Sequence, residues 1–415
     1  MFIKGVKTVQ YFESALCALK DWIKIKSVKS APQTNMPLGA GVYEMAKTCY
    51  EHALSLGLNA IYYDGYAVEV TLGDGSDEDG VSVLCHLDVV PEGDLSLWNS
   101  NPFTLTEENG YLVGRGVVDD KGPAVLCLYA LKELKDQGFK PSKKIKLIFG
   151  MDEESGWDCI EHYKKVATLS TVGFSPDGDF PVIYAEKGII HIEYTFKKHP
   201  LIEKLVGGDR INVVCDKVNL TFYGNDYLFT GVSAHGSTPE KGDNAIKKAL
   251  EFLVQNNAFD IKDYNALFLN KELSSVSDES GVLTFSPNVI TANENGIFIK
   301  TDVRYPVTYL RENIEKLLGK VGNFKVLSHQ PALYANKNGK LVKTLLKVYE
   351  NCFNEKGTPI TTGGGTYARA LKNGVAFGPS LYGEHCCHVP NEKISIERLK
   401  KCYKAYKQAI YELAK

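Results

Sequence analysis

Histidine and acidic side chains recur in this 415-residue sequence at places where predicted strands or turns end. These groups are His86 with Asp88, Asp119 with Asp120, Asp152 with Glu153 and Glu154, Asp177 with Asp179, and His385 with His388. Imidazole and carboxylate groups are the ligands that zinc and similar divalent metals take in proteins. In open α/β sheets, sites form beyond the carboxyl ends of the strands. The pattern therefore predicts a metal site at one edge of a sheet.

Each group has an ordinary structural explanation when it is considered alone. A single histidine such as His86 at a strand end is more often structural than a metal ligand. Asp119 and Asp120, or the acidic residues 152–154, could cap a helix or lie in a solvated loop. The order of all these groups along one chain is much less expected by chance, and it favours the metal site.

Apolar periodicity predicts the elements that position these groups. Residues 81–85 and 145–149 are extended apolar runs, and a helical pattern at residues 123–137 lies between them. Helical patterns also cover residues 9–28 and 43–56. Strands that alternate with helices indicate an α/β fold with a mostly parallel sheet flanked by helices.

The pattern changes in the middle of the chain, where predicted strands outnumber helices. The strands are expected at residues 187–198, 218–223, 227–232, 281–285 and 296–303, and one helix at residues 244–253. Helical patterns return at residues 340–352 and 395–413. We therefore predict one α/β domain formed by residues 1–185 and 332–415, with a smaller α+β domain, residues 186–331, inserted into it.

Composition and charge exclude several classes of protein. The chain has 48 Lys and Arg against 50 Asp and Glu, whereas a nucleic-acid-binding protein normally carries a basic excess. No apolar run approaches the roughly 20 residues that span a bilayer, and the first residues do not resemble a secretion signal. The ten cysteines lack disulfide-framework spacing, which is typical of thiols in a reducing compartment. We expect a cytoplasmic protein with no nucleic-acid or membrane partner.

Seven stretches of the sequence carry specific motifs: residues 85–93, 114–123, 152–157, 175–177, 302–306, 363–369 and 388–392. Together they resemble the co-catalytic zinc metallopeptidases, the family that includes aminoacylase, carboxypeptidase G, succinyl-diaminopimelate desuccinylase and carnosinase. The similarity spans nearly the whole chain and is greatest to the bacterial PepV-type dipeptidases. It implies a zinc-exopeptidase-like catalytic domain with an inserted lid domain.

The resemblance implies a site for two divalent metal ions. Asp119 would bridge both ions. His86 and Asp177 would complete one metal position, and the other would be completed by Glu154 and His388. Two nitrogen and three carboxylate ligands suit zinc, and manganese or cobalt are alternatives on ligand type alone.

The same resemblance implies catalytic roles for two further acidic residues. Glu153 would be the general base, taking a proton from a water that bridges the two ions and returning it to the leaving amine. The ions would lower the pKa of that water from about 15.7 towards neutrality. Asp88 would accept a hydrogen bond from the far ring nitrogen of His86 and so fix its tautomer.

Three residues of the predicted lid domain would contact the substrate by the same resemblance. His235 would donate a hydrogen bond to the oxyanion of the reaction intermediate. Asn212 and Arg304 would hold the substrate, with Arg304 gripping its terminal carboxylate as a bidentate fork. Considered alone, His235 could be an ordinary loop histidine and Arg304 a strand residue in an ion pair. The glycines at residues 363–365 lack the Gly-Lys-Ser/Thr ending of a phosphate-binding loop.

The run His385-Cys386-Cys387-His388 departs from the pattern expected around this ligand. Two thiols beside it could suggest a separate structural zinc. Adjacent cysteines lack the usual zinc-site spacing, however, and no second pair is nearby. The Val-Pro-Asn-Glu sequence that follows His388 assigns the ligand role to this residue, and the roles of the other three stay open.

These inferences predict a cytoplasmic, metal-dependent dipeptidase that hydrolyses small peptides with a free amino terminus. An N-acyl-amino-acid deacylase or a tripeptide aminopeptidase on the same scaffold is the nearest alternative. A non-catalytic binding protein is another, although such a protein would be expected to have lost Glu153 or a ligand. Asn212 precedes His235 early in the insert, as in the PepV branch, which predicts a monomer that closes its own lid. A homodimer formed through the lid domain is the other arrangement.

Overall fold

The structure is a computed structural model that describes residues 6–384 and 387–415. Their α-helices are α1 (Val6–Lys24), α2 (Ala40–Ser55), α3 (Lys121–Asp136), α4 (Asp158–Val166), α5 (Ala245–Gln255), α6 (Ile261–Phe268), α7 (Lys271–Ser274), α8 (Arg311–Leu318), α9 (Lys340–Phe353) and α10 (Ile396–Ala414). The first strands are β1 (Asn59–Tyr63), β2 (Ala67–Leu72), β3 (Val81–His86), β4 (Thr106–Glu108), β5 (Tyr111–Val113), β6 (Ile145–Gly150), β7 (Val172–Ser175), β8 (Asp179–Phe180), β9 (Ile183–Glu186), β10 (Gly188–Phe196), β11 (Ile202–Gly207) and β12 (Lys217–Phe222). The later strands are β13 (Asn225–Thr230), β14 (Ser277–Asp278), β15 (Gly281–Val282), β16 (Thr284–Asn293), β17 (Gly296–Tyr305), β18 (Phe324–Gln330), β19 (Leu333–Tyr334), β20 (Ile360–Thr362), β21 (Asn373–Ala376), β22 (Ser380–Leu381) and β23 (Lys393–Ser395).

The chain forms two compact units. The first contains the described residues of Met1–Tyr184, Ala335–Ile360 and Thr366–Lys415. The second contains Ala185–Tyr334 and Thr361–Gly365. The second unit therefore interrupts the first in sequence, and its longer segment includes the predicted insert.

The short segment Thr361–Gly365 belongs to the second unit, whereas the sequence pattern assigns it to the C-terminal part of the larger domain. Two hydrogen bonds connect the segment to the rest of the second unit. The backbone N–H of Lys187 donates to the carbonyl of Thr362 (3.1 Å), and Nη1 of Arg304 donates to the carbonyl of Gly363 (3.2 Å). These bonds join residues that are far apart in sequence, so local periodicity does not reveal them.

The first unit is built on a mixed sheet with the strand order β1-β2-β6-β3-β7-β21-β9. The central strands β6, β3, β7 and β21 are parallel to one another, and the outer pairs are antiparallel. Every residue of β3 and β6 is buried, as expected for strands covered on both faces. The predicted α/β fold class is therefore confirmed, and the parallel pairing lies in the centre of the sheet.

The first predicted helix is wrong at its C-terminal end, because α1 stops at Lys24 and does not continue to residue 28. The buried ammonium group of Lys121 lies there and donates hydrogen bonds to the carbonyls of Trp22 (2.9 Å) and Ile25 (2.7 Å). A helix leaves its last carbonyls without partners, so a cation can bind them. Lys121 begins α3, and it thereby ties the start of that helix to the end of α1.

The second unit is an antiparallel sheet with helices packed on it. Its strand order is β13-β12-β11-β16-β17-β10-β18. Alternate residues of β10 are buried in a core shared with α5, α6 and α8, which is the pattern of a sheet covered on one face. The predicted strand at residues 281–285 is divided between β15 and the start of the longer β16. The α+β character predicted for this region is confirmed.

In the part of the chain that the structure describes, no helix combines the length and the apolar character needed to cross a membrane. The described cysteines are all free thiols, and most of them are buried.

Candidate active site

The carboxyl ends of three parallel strands bring the predicted ligands to one edge of the first sheet. His86 is the last residue of β3, which pairs in parallel with both β6 and β7. Glu153 and Glu154 follow β6, and Asp177 follows β7. The topology of the sheet, and not the sequence spacing, makes these residues neighbours.

Two overlapping groups of metal-binding side chains form at this edge. His86, Glu153 and Asp177 form one group, and His86 with Asp119 and Glu154 forms the other. Within each group the ligand atoms lie within 4.8 Å of one another. Both groups contain His86, so they adjoin each other.

Asp119 lies between two imidazole rings. Its Oδ1 atom is 2.8 Å from Nε2 of His86, and its Oδ2 atom is 3.0 Å from Nε2 of His388. The same nitrogen of His388 is 3.0 Å from Oε1 of Glu154, and Nε2 of His86 is 3.7 Å from Oδ2 of Asp177. All five predicted ligands are therefore brought together, and the two oxygens of Asp119 face different halves of the group.

Two buried atoms of this site lack hydrogen-bond partners in the described part of the chain, and a divalent metal ion would satisfy both. Nε2 of His86 and Oδ1 of Asp119 are buried, and neither makes a hydrogen bond of acceptable geometry within the described residues. Buried polar atoms are rarely left without a partner. Two imidazoles and three carboxylates are also a donor set that zinc and manganese accept.

The carboxylates of the site influence one another through their charges. Burial, followed by the negative charge of Asp119, raises the pKa of Asp177 to about 8. Burial, together with neighbouring carboxylates, also holds the pKa of Glu153 well above its usual range. Burial acts in the same direction on Asp119, but the close imidazole groups of His388 and His86 outweigh it and lower the pKa of this carboxyl group. Four carboxyl groups thus meet two imidazoles at this edge, and they can all ionise together only if further positive charge is present, which favours cation binding.

The sequence prediction for Asp88 differs from the structure in one respect. Nδ1 of His86 is hydrogen-bonded to the backbone carbonyl of Asp88 (3.0 Å), and the nearest carboxylate oxygen of Asp88 is 3.5 Å away. That carboxylate instead accepts hydrogen bonds from the backbone N–H groups of Glu153 (3.0 Å) and Glu154 (3.1 Å). Asp88 thus fixes the His86 ring through its main chain and the two glutamates through its side chain.

Comparison with known proteins agrees with this geometry. The family model of peptidase family M20/M25/M40 matches residues 83–412. The chain belongs to this family. The resemblance drawn from the sequence motifs is thereby confirmed, and the protein is a hydrolase of the metallopeptidase class.

Individual relatives are similar over their whole length. YtjP of Bacillus subtilis (strain 168), a provisionally named dipeptidase, is 33% identical over 463 aligned positions, which cover 99% of each chain. The crystal structure of human carnosine dipeptidase 1 has a TM-score of 0.65 at 15% identity and covers 98% of each chain. YXEP of Bacillus subtilis, a dinuclear metal-binding peptidase of the M20 family, has a TM-score of 0.57 at 10% identity. It covers 98% of this chain and 99% of that chain. At these identities, the two crystal structures show that the fold is shared.

Glu392 organises the loop that carries Asp119, although the sequence analysis gave it no role. Its Oε1 atom accepts hydrogen bonds from the backbone N–H groups of Gly116 (3.1 Å), Val118 (2.8 Å) and Asp119 (3.2 Å). Its Oε2 atom accepts one from Nη1 of Arg115 (2.7 Å). Glu392 is 1% exposed, so these bonds are shielded from water.

Replacing Glu392 with alanine is expected to lower the free energy of unfolding by about 3–5 kcal/mol, because it leaves a buried arginine and three N–H groups without their acceptor. Denaturant unfolding of the protein measures this loss. The control is Glu397→Ala, which removes an exposed pair with Lys401 and should cost less than about 1 kcal/mol. Equal losses in the two variants would contradict the proposed importance of Glu392.

The aromatic ring of Tyr367 packs beside the candidate metal-binding residues of the site. Its ring packs edge-to-face on His86 with 6.1 Å between the ring centroids, and its hydroxyl lies 2.6 Å from Sγ of Cys159. A Cβ atom on Gly150, at the end of β6, would lie 2.5 Å from the Tyr367 hydroxyl. Glycine at this position therefore makes room for the ring. The sequence motif at residues 363–369 contains Tyr367, but no periodicity connects it with His86.

The three predicted lid residues lie in the second unit. His235 is exposed, and its Nδ1 atom accepts a hydrogen bond from the backbone N–H of Ser237 (3.2 Å). Asn212 accepts one at its backbone carbonyl from the N–H of Gly236 (2.7 Å). Arg304 is 4% exposed and is paired with a carboxylate. The structure therefore joins Asn212 to the turn that contains His235. Of the run with adjacent cysteines, His385 and Cys386 lie outside the described residues.

Proposed function

We propose that this M20 metallopeptidase is a dipeptidase that uses two divalent metal ions and Glu153 as its general base. The observation that carries the proposal is the position of Asp119, whose two carboxylate oxygens face His86 and His388 separately. Asp119 would therefore be shared by the residues of both metal positions, one with His86 and one with His388. The provisional naming of YtjP as a dipeptidase supports the same substrate class.

The side chains of the site would have separate roles in the reaction. His86 and Asp177 would hold one ion, Glu154 and His388 the other, with Asp119 shared between them. When bound, such ions lower the pKa of a shared water and polarise the peptide carbonyl. Glu153 would accept the proton of that water and pass it to the leaving amine. The hydrogen bonds that Asp88 accepts from the backbone of Glu153 and Glu154 would keep these neighbours in their two roles.

His235 would serve as a hydrogen-bond donor to the oxyanion. Its Nδ1 atom lies 2.6 Å from Oγ of Ser237 and 3.2 Å from the backbone nitrogen of the same residue, so Ser237 holds the ring at its Nδ1 side. Nε2 would then be the ring atom that donates to the oxyanion. Asn212 and Arg304 would bind the substrate, Arg304 at its terminal carboxylate.

The proposal is tested by removing metal from the purified protein with a chelator and assaying it after addition of zinc, manganese or cobalt. We expect cleavage of dipeptides with a free amino terminus that disappears without metal and returns with it, with zinc first among the candidates. The panel should include N-acyl-amino acids and tripeptides. A preference for either class would identify a deacylase or a tripeptide aminopeptidase, and metal binding without any turnover would identify a binding protein.

We also propose that one chain supplies all these groups and that the protein works as a monomer in the cytoplasm, where its free thiols would stay reduced. Mixing an inactive Glu153→Ala chain with an inactive His235→Ala chain tests the monomer. If each chain uses its own His235, the mixture is expected to remain inactive. Recovery of activity would show that His235 reaches the site of a second chain, as in a homodimer formed through the lid domain.

A further inference from the structure

A buried carboxylate in the second unit, Asp302, is bound to Arg304 through two parallel hydrogen bonds. Nε of Arg304 donates to Oδ1 (2.8 Å), and Nη2 donates to Oδ2 (2.9 Å). The two residues are separated by one position in β17, so their side chains lie on the same face of the strand. Asp302 is 0% exposed, and water does not compete for this pair.

The same carboxylate also lies against the turn that contains His235. A Cβ atom on Gly236 would come within 2.3 Å of Oδ2 of Asp302, which no real contact allows. The backbone N–H of Gly236 donates to the carbonyl of Asn212 (2.7 Å). The carboxylate of Asp302 thus binds Arg304 and also packs against Gly236, whose backbone N–H is hydrogen-bonded to Asn212.

Three contacts of Arg304 with the described residues use only part of its guanidinium group. An arginine has five N–H donors. Asp302 takes one from Nε and one from Nη2, and the carbonyl of Gly363 takes one from Nη1 (3.2 Å). One N–H on each Nη atom remains beyond these bonds. Asp302 also neutralises the charge of Arg304, so recognition by this group depends on the direction of its remaining donors.

We propose that Asp302 is a positioning residue that holds Arg304 and the His235 turn in one fixed arrangement, so that the enzyme recognises the terminal carboxylate of its substrate. This inference rests on the proposed peptidase function. The close approach of Oδ2 of Asp302 to Gly236 shows that the carboxylate that binds Arg304 also packs on the His235 turn. His191 faces Asp302 from β10, with Nε2 at 3.8 Å from Oδ1.

The inference is tested with a dipeptide and its C-terminal amide, which differ only in the terminal carboxylate. For the wild type we expect a higher kcat/KM with the free acid. Asp302→Asn should reduce this preference by about tenfold to a hundredfold, the value of one charge-assisted hydrogen bond, mainly through KM. An unchanged preference in Asp302→Asn would overturn the inference.

The matched control is Glu69→Gln, which alters another buried ion pair. In the first unit, Nζ of Lys146 lies 3.1 Å from Oε2 of Glu69, and both residues are almost fully buried. This variant should lose stability without changing the preference for the acid over the amide. If Glu69→Gln changes the preference as much as Asp302→Asn does, the effect is general destabilisation and the inference fails. If Asp302→Asn does not fold, Gly236→Ala takes its place, because its added methyl group displaces Asp302 while the carboxylate is kept.

A second measurement does not depend on turnover. In protein labelled with ¹⁵N-arginine, the Nε–H signal of Arg304, assigned by its loss in Arg304→Lys, should exchange slowly with water. It should exchange rapidly in Asp302→Asn and stay protected in Glu69→Gln. A rapidly exchanging signal in the wild type would contradict the positioning role. If the wild type cleaves neither acid nor amide, the proposed function and the recognition role both fail, and this signal still decides whether Asp302 positions Arg304.

Discussion

Replacing Glu153 with alanine is expected to lower kcat by about 10²–10⁴-fold, the usual contribution of a general acid–base group, while the protein still binds two metal ions. Glu153 lies beside His86 and Asp177, with ligand-type atoms within 4.8 Å of one another. Its pKa is raised, chiefly by burial, which suits a group that must accept and return a proton. Glu154, in contrast, has its Oε1 atom 3.0 Å from Nε2 of His388, the residue with which it would hold a metal ion.

Metal content after removal of loosely bound ions decides between the roles of the two glutamates. Glu153→Ala should retain two ions per chain, and the matched variant Glu154→Ala should lose one. Glu153→Gln keeps the size of the side chain and should be as inactive as Glu153→Ala. If Glu153→Ala loses an ion and Glu154→Ala does not, the base and the ligand have been assigned the wrong way round.

The parts of the site that sequence could predict are those attached to regular strands. Uninterrupted apolar runs predict β3 and β6, and the polar residues that follow, such as His86 and Glu154, then lie at a known edge of the sheet. The fold class and the family resemblance are confirmed. The ligand roles themselves remain predictions, although the structure brings the residues together.

Residues that act by holding others could not be predicted in this way. Glu392 lies 273 positions from Asp119, whose backbone it binds. Asp302 is two positions from Arg304 in sequence, but its contact with Gly236 depends on how the turn packs on the strand. No local period records such contacts, because they arise only when distant segments pack. The end of α1 at Lys24 could not be predicted for the same reason. The carbonyls of Trp22 and Ile25 near this end bind Lys121, which belongs to another helix.

His235→Ala is expected to lower kcat by about 10²–10³-fold with little change in KM, as is typical when one donor to an oxyanion is removed. The physical reason is that the charge on the oxyanion develops only in the transition state. A donor aimed at that charge stabilises the transition state more than the bound substrate. Ser237 holds the Nδ1 side of the His235 ring through its Oγ atom (2.6 Å) and its backbone N–H (3.2 Å), so Nε2 would be the donor to the oxyanion.

His199 provides a control with a similar backbone contact. Its Nδ1 atom also accepts a hydrogen bond from the backbone N–H two residues later, that of Leu201 (3.3 Å), and it lies in the same unit. His199→Ala should therefore cause a similar local disturbance and leave kcat close to that of the wild type. Steady-state kinetics of both variants with one good dipeptide separate kcat from KM. A raised KM with unchanged kcat in His235→Ala would mean that His235 binds the substrate without stabilising the transition state. Equal effects on kcat in His235→Ala and His199→Ala would contradict a role of His235 in stabilising the oxyanion.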